Sequence, residues 1–263
     1  MSNQRIISAK TFQASKVGYA PPKVNKRGGK SVLVNYEGDA LRIQFPLMLT
    51  WGVNERVDDQ TGRVSYDMAL QFEPNKSQTQ SRWLEEMKSL ESKLKQDIMK
   101  NSKQWLGKQQ NNEAVIDALF YPVLKYPKLK DGSGEPDYSR NPTLKLKIPF
   151  WENNFNVELY NMDGKAVFLP PKDGFESPQG DKTPVDLVPS KSYIKGLIAC
   201  DGIWMAGGRF GITWKLLQAQ VCPPVNLTGT GVCHIVADDD DDEILGHIKT
   251  KGGGSGEQET KEE

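Results

Sequence analysis

Between Tyr121 and Trp151, basic and aromatic residues alternate in a way that suits one task, gripping a charged polymer that carries flat bases. The segment reads YPVLKYPKLK, then the loop DGSGEPDYSRNP, then TLKLKIPFW. Lys125, Lys128, Lys130 and Arg140 stand among Tyr121, Tyr126, Tyr138, Phe150 and Trp151. A side-chain period of two puts Lys145 and Lys147 on one face of a strand and Leu144, Leu146 and Ile148 on the other. A single strand held without sequence preference needs cations to follow its phosphates and aromatic faces on which its bases stack, at about 1 to 3 kcal/mol per base. A solvated strand face accounts for the lysines, but it explains the tyrosines less readily.

A second set lies in SKSYIKGLIACDGIWMAGGRFGITWKLLQAQV, residues 190–221. Ser192 to Cys200 is rich in β-branched and aromatic residues, Asp201-Gly202 reads as a hairpin turn, and Ile203 to Ala206 resumes the strand. Gly207 and Gly208 allow a bend, and Gly211 to Val221 gives a third strand. Lys195, Trp204, Arg209 and Lys215 are the candidates here for a curved, cationic, aromatic surface. Trp204 and Trp214 have two readings, core or surface, and the core reading is the plainer one.

The ends of the chain carry opposite charge. The first 36 residues hold Arg5, Lys10, Lys16, Lys23, Lys26, Arg27 and Lys30 with no acid, and residues 238–263 hold ten acids against three lysines. The intervening body is balanced, so the net charge of zero conceals a basic arm, residues 1–30, and an acidic tail, residues 238–263. Lys23, Lys26, Arg27 and Lys30 join the nucleic-acid-binding candidates. Asp238, Asp239, Asp240, Asp241, Asp242 and Glu243 form a run of six consecutive acids, which reads as a solvated acidic tail. The glycines that follow leave no foldable pattern, and the tail is expected to be disordered.

Strands and one helical segment must position these residues. Ser31 to Tyr36 and Ala40 to Thr50 read as strands, the second with Leu41, Ile43, Phe45 and Leu47 on one face against Arg42, Gln44 and Met48. Arg63 to Glu73 alternates likewise, through Val64, Tyr66, Met68, Leu70 and Phe72. The period then becomes helical, with Trp83, Met87, Leu90, Leu94 and Ile98 forming a stripe within Gln78 to Leu106, and Glu113 to Phe120 gives a shorter helix. The fold class is mainly β with an inserted helical segment, 78–119, within one domain, 31–237.

Other chemistry finds little support. The chain has two histidines, His234 and His247, which suits neither a histidine-based triad nor a histidine-rich metal site. Gly207-Gly208-Arg209-Phe210-Gly211 lacks the spacing of a dinucleotide loop, and GxxxxGK[ST] is absent. A run of aspartates without fixed geometry does not make a nuclease site. Cys200, Cys222 and Cys233 lack CxxC spacing and are expected to be reduced. No apolar run approaches the roughly 20 residues of a membrane span, and MSNQRIISAK lacks the apolar core of a signal peptide. The protein is expected inside the cell, with no membrane partner, no cofactor and no metal.

PDYSRNPTLKLKIPFW, FNVELY, YIKGLIACDGIWMAGGRFGITWKLLQAQV and the acidic C-terminus together resemble the single-stranded-DNA-binding proteins of T-odd phages and their relatives in nucleo-cytoplasmic large DNA viruses. The resemblance covers roughly residues 30–236. It implies an OB-like β-barrel, roles in replication, repair and recombination, and an acidic tail that competes with DNA and docks replication proteins such as polymerase and primase-helicase. The phage members end in a bulky aromatic after their acids, whereas this chain has no aromatic after position 237.

The expectation is therefore a non-enzymatic binder that coats single strands, acting in a host cytoplasmic viral factory or nucleus, with a homo-oligomer left open. The rival reading is an acidic-tailed replication adaptor or chaperone without strand specificity of its own.

Overall fold

The computed structural model describes residues 5–24, 30–171 and 180–225, six single positions between 228 and 240, and the backbone of 241–251. It divides into two units, Met1–Pro224 and Val225–Glu263.

Five strands of the first unit close into a barrel: β1 (Arg42–Val57), β2 (Val64–Gln71), β3 (Thr143–Ile148), β4 (Ser192–Ala206) and β5 (Arg209–Cys222). The order round the barrel is β1-β2-β3-β5-β4 and back to β1. Every pairing is antiparallel except β3 with β5, where Leu146 lies beside Trp214 and Lys147 beside Lys215. This is the Greek-key arrangement of an OB-like barrel. Its interior is filled by the inward residues of each strand, among them Ile43, Phe45, Met68, Leu70, Leu144, Leu146, Ile194, Ile198, Trp214 and Leu216, all buried. Trp214 thus takes the core placement.

Two irregularities depart from the sequence expectation. In β1, Phe45 pairs with Gly196 and Met48 with Ile194, so Pro46 and Leu47 of one strand oppose Lys195 alone on the other. That bulge inverts the alternation after Phe45, which leaves Leu47 exposed and Met48 buried, the reverse of the expected order. In β4, Asp201-Gly202 does not turn the chain. Cys200 pairs with Trp214 and Ile203 with Ile212, so the dipeptide is a bulge inside one long strand. Gly202 has φ +116, and a Cβ there would stand 2.5 Å from the carbonyl oxygen of Val32. The hairpin turn falls at Gly207-Gly208, whose φ values of 57 and 75 suit a type I′ turn.

The helical segment lies between β2 and β3. Helix α1 (Gln78–Lys100) starts at Ser77, whose hydroxyl accepts a hydrogen bond from the Gln80 amide at 3.3 Å. Trp83, Met87, Leu90, Leu94 and Ile98 are all fully buried, and the Trp83 ring lies 5.3 Å from Phe72 and 6.4 Å from Phe45. The stripe is what fastens the helix over the barrel. The chain breaks at Asn101, and α2 (Ser102–Trp105) and α3 (Glu113–Leu119) follow.

Residues 1–30 were expected as an extended arm, and over much of their length they belong to the body instead. Ile7–Ser8 pairs in parallel with β1, Val17–Tyr19 pairs with Val34–Tyr36, and Ile7, Ala9, Phe12, Ala14 and Val17 are buried. The apolar positions of this segment are too irregular to show a period, yet Phe12 packs on Tyr36 and Tyr19 on Trp105, while Ile6 and Val24 stay exposed. Tyr19 also donates to Asp97 of α1 at 2.9 Å.

In the second unit Asp241–Lys251 is helical. The glycine-rich remainder of the expected tail, 252–263, lies outside the described residues. No helix among the described residues is long and apolar enough to cross a membrane.

Candidate nucleic-acid interface

A groove of about 410 Å³ lies on the outside of the barrel over β2, β3 and β5. Its lining includes Arg56, Arg63, Lys145 and Lys147 against two carboxylates, Asp58 and Asp67, together with Tyr66, Tyr121 and Trp204. The excess of cations and the aromatic rings are the two ingredients a single strand needs.

The strands place the charges. Lys145 and Lys147 alternate with buried Leu144, Leu146 and Ile148, so barrel closure turns both lysines outward. In register, Asp67 of β2 and Lys215 of β5 flank Lys147 on either side. Asp67 is buried, and its Oδ2 accepts from Lys145 Nζ at 2.7 Å and from Arg56 Nε. Lys215 is paired with Asp201 in the β4 bulge. Arg56 and Arg63 flank the hairpin turn between β1 and β2. At its centre Asp58 accepts from the Thr61 hydroxyl at 2.7 Å, which holds its carboxyl below the usual range.

The aromatic end is built by a close approach. Tyr121 is tied to β5 by its amide, which donates to the Phe210 carbonyl at 2.8 Å. Its ring lies 6.0 Å from Trp204, and Lys125 Nζ sits 4.5 Å above it while also bonding its hydroxyl. Gly211 permits this arrangement, because a Cβ there would stand 2.9 Å from Tyr121 Cβ and 3.1 Å from the Trp204 ring. At the other end, Tyr66 packs against Phe150 and Phe155 at 4.8 and 4.6 Å. Burial first, and its hydrogen bond to Glu55 second, push the Tyr66 phenol up to about 12, so the ring stays neutral at ordinary pH.

The remaining expected residues fall into three groups. Some stand next to lining residues: Lys125 over Tyr121 and Lys215 beside Lys147, while Trp151, 56% exposed, follows Phe150, whose ring packs on Tyr66. Arg209 follows the Gly207-Gly208 turn, and Lys30 pairs with Met205, next to Trp204, with Lys23 on the adjoining strand. Others lie apart. Tyr126 and Tyr138 pack edge to face at 4.8 Å on the loop before β3, with exposed Lys128 and Arg140 on the same loop and none of the four in the groove lining. Lys195 lines a different cleft, with Gln44, Tyr160, Gln218 and Gln220. Lys26 and Arg27 lie outside the described residues. So do Asp239 and the side chain of Asp242, whereas Asp238, Asp240, Asp241 and Glu243 are exposed.

Arg56, Arg63 and Tyr66 were not among the sequence candidates. The available signal was the pair of arginines bracketing Asp58-Asp59-Gln60-Thr61-Gly62, cations on both flanks of a turn. Among the described residues no group of three or more histidines, cysteines and carboxylates is placed to hold a metal ion.

No protein-family model matches the chain, and no curated protein matches it. Solved structures do resemble it. The single-stranded DNA-binding protein from bacteriophage Enc34 in complex with ssDNA is 12% identical, with 80% of this chain and 98% of that one covered at a TM-score of 0.40. A C-terminal truncation of the Enc34 protein gives 12% identity, 82% and 98% coverage and a TM-score of 0.38. Gp2.5, a single-stranded DNA binding protein encoded by bacteriophage T7, is 10% identical over 85% of this chain and 100% of that one, at a TM-score of 0.42. The strand order of this chain itself makes its barrel OB-like.

Proposed function

We propose that this chain binds single-stranded DNA without sequence preference, and that it coats and protects strands during viral DNA replication, repair and recombination without acting as an enzyme. The observation that carries the reading is the groove over β2, β3 and β5, where four cations line the same surface as Tyr66, Tyr121 and Trp204. Phosphates follow the cations, bases stack on the exposed parts of Tyr121 and Trp204, and neither contact depends on base identity. The groove also lies on the strand 2 to 3 face that OB-folds use for oligonucleotides.

In the same reading the acidic run Asp238–Glu243 competes with DNA for cationic surface and docks replication proteins such as polymerase and primase-helicase. The setting would be a host cytoplasmic viral factory or the nucleus, with self-association along the strand as a further element.

The test is a titration of labelled single and double strands at several salt concentrations, with and without magnesium. The expected outcome is tight single-strand binding at low salt, a log-log slope of about −0.7 per phosphate neutralised, much weaker duplex binding and no cleavage. Equal affinity for both forms, or little salt dependence, overturns the reading.

A further inference from the structure

We infer that Asp67 is a built-in stand-in for phosphate, holding two cations of the groove so that a bound strand must share them with it. The inference rests on the single-strand reading of the groove and names a residue that regulates it. A carboxylate on the floor of a nucleic-acid groove is out of place by charge alone. Asp67 is 8% exposed, and one of its oxygens takes both Lys145 Nζ and Arg56 Nε. The Arg56 side chain, 61% exposed, makes no other side-chain hydrogen bond among the described residues, so its two terminal nitrogens remain available to an incoming phosphate.

The consequence is one of ion counting. Two cations on one carboxylate give the trio a single net positive charge, so it neutralises one phosphate rather than two. Salt dependence measures how many phosphates are neutralised, at about 0.7 of log-log slope each for a single strand. Asp67 therefore lowers both the low-salt affinity and its steepness. It also keeps the free groove less attractive to other polyanions, a form of selection by an internal competitor.

Asp67→Asn is nearly isosteric and keeps an acceptor for Arg56 and Lys145. With labelled oligothymidine and the full chain, it should bind several-fold more tightly at low salt, with a slope steeper by about 0.7, and the gain should fade as salt rises. Arg56→Gln changes an exposed side chain, and should make the slope shallower by about the same amount. The double variant Arg56→Gln, Asp67→Asn carries the wild-type net charge at this place and should return the slope to the wild-type value. Thermal melts of each variant confirm that it is folded. A wild-type protein that binds no single strand overturns both the reading and the inference. A wild type that binds, with Asp67→Asn showing an unchanged or shallower slope or a double variant that fails to restore it, overturns the inference alone.

Discussion

Two clefts on this barrel each contain a lysine picked out by the sequence, and only one has the makings of a binding site. In the groove, Lys147 stands between Asp67 and Lys215, with Lys145 on the same strand face and Tyr66, Tyr121 and Trp204 in the lining. In the other, Lys195 stands among Gln44, Gln218 and Gln220. There the ring of Tyr160 is committed through its hydroxyl to Glu158 at 2.7 Å, and the amides of Gln218 and Gln220 are turned to Glu158 and to the carbonyls of Asn161 and Met162. Both lysines point outward from strands. The difference is company: a lone cation offers one phosphate contact, whereas cations in register beside aromatic faces offer a path.

The largest expected effect comes from the rings. Trp204→Ala should weaken single-strand binding by about 1 to 3 kcal/mol at fixed salt while leaving the slope close to wild type, as measured by fluorescence titration. Trp204 is partly exposed, so the variant should stay folded, and a large change in slope would place the residue outside the stacking role. Next comes Lys147→Ala, which should make the slope shallower by about 0.7 with little effect on melting temperature. The smallest effect is expected at Lys195→Ala, whose affinity and slope should both lie close to wild type. A loss there equal to that of Lys147→Ala would erase the distinction between the clefts and extend the path round the barrel.

What the sequence disclosed depended on whether a residue's role was set by its near neighbours. The outward placement of Lys145 and Lys147 and the buried stripe of α1 follow from periods of two and about 3.6, which hold wherever the element sits. Arg56 and Arg63 were not legible in the same way, because they meet Lys145 only through the pairing of β2 with β3, across some 70 residues of helix and loop. Tyr66 was read as an inward strand residue and is one, yet its edge still reaches the groove. Asp201-Gly202 carries a strong turn signal in isolation, but tertiary pairing on both sides of β4 holds the dipeptide in a strand. Phe12 and Val17 were lost in a basic segment whose charge masked its apolar residues. Lys195 shows the converse: its own strand marked it as a candidate surface cation and gave no information on what lay beside it.

The seam that completes the barrel joins β1 to β4, and β4 is itself flanked by β5. Val57 and Ala206 are separated by some 150 positions, which a ribosome adding 5 to 20 residues per second takes about 8 to 30 seconds to deliver. Throughout that interval β1 has only β2, the early strand Ile7–Ser8 and the apolar face of α1 as company. Its other edge stays open until nearly the whole first unit has emerged. Pairings this distant also slow folding after release. The nascent chain thus spends its longest exposure with an unpaired apolar strand edge, the condition in which one copy captures another. Its yield in a cell should consequently depend on synthesis rate and chaperone supply more than on the stability of the finished barrel.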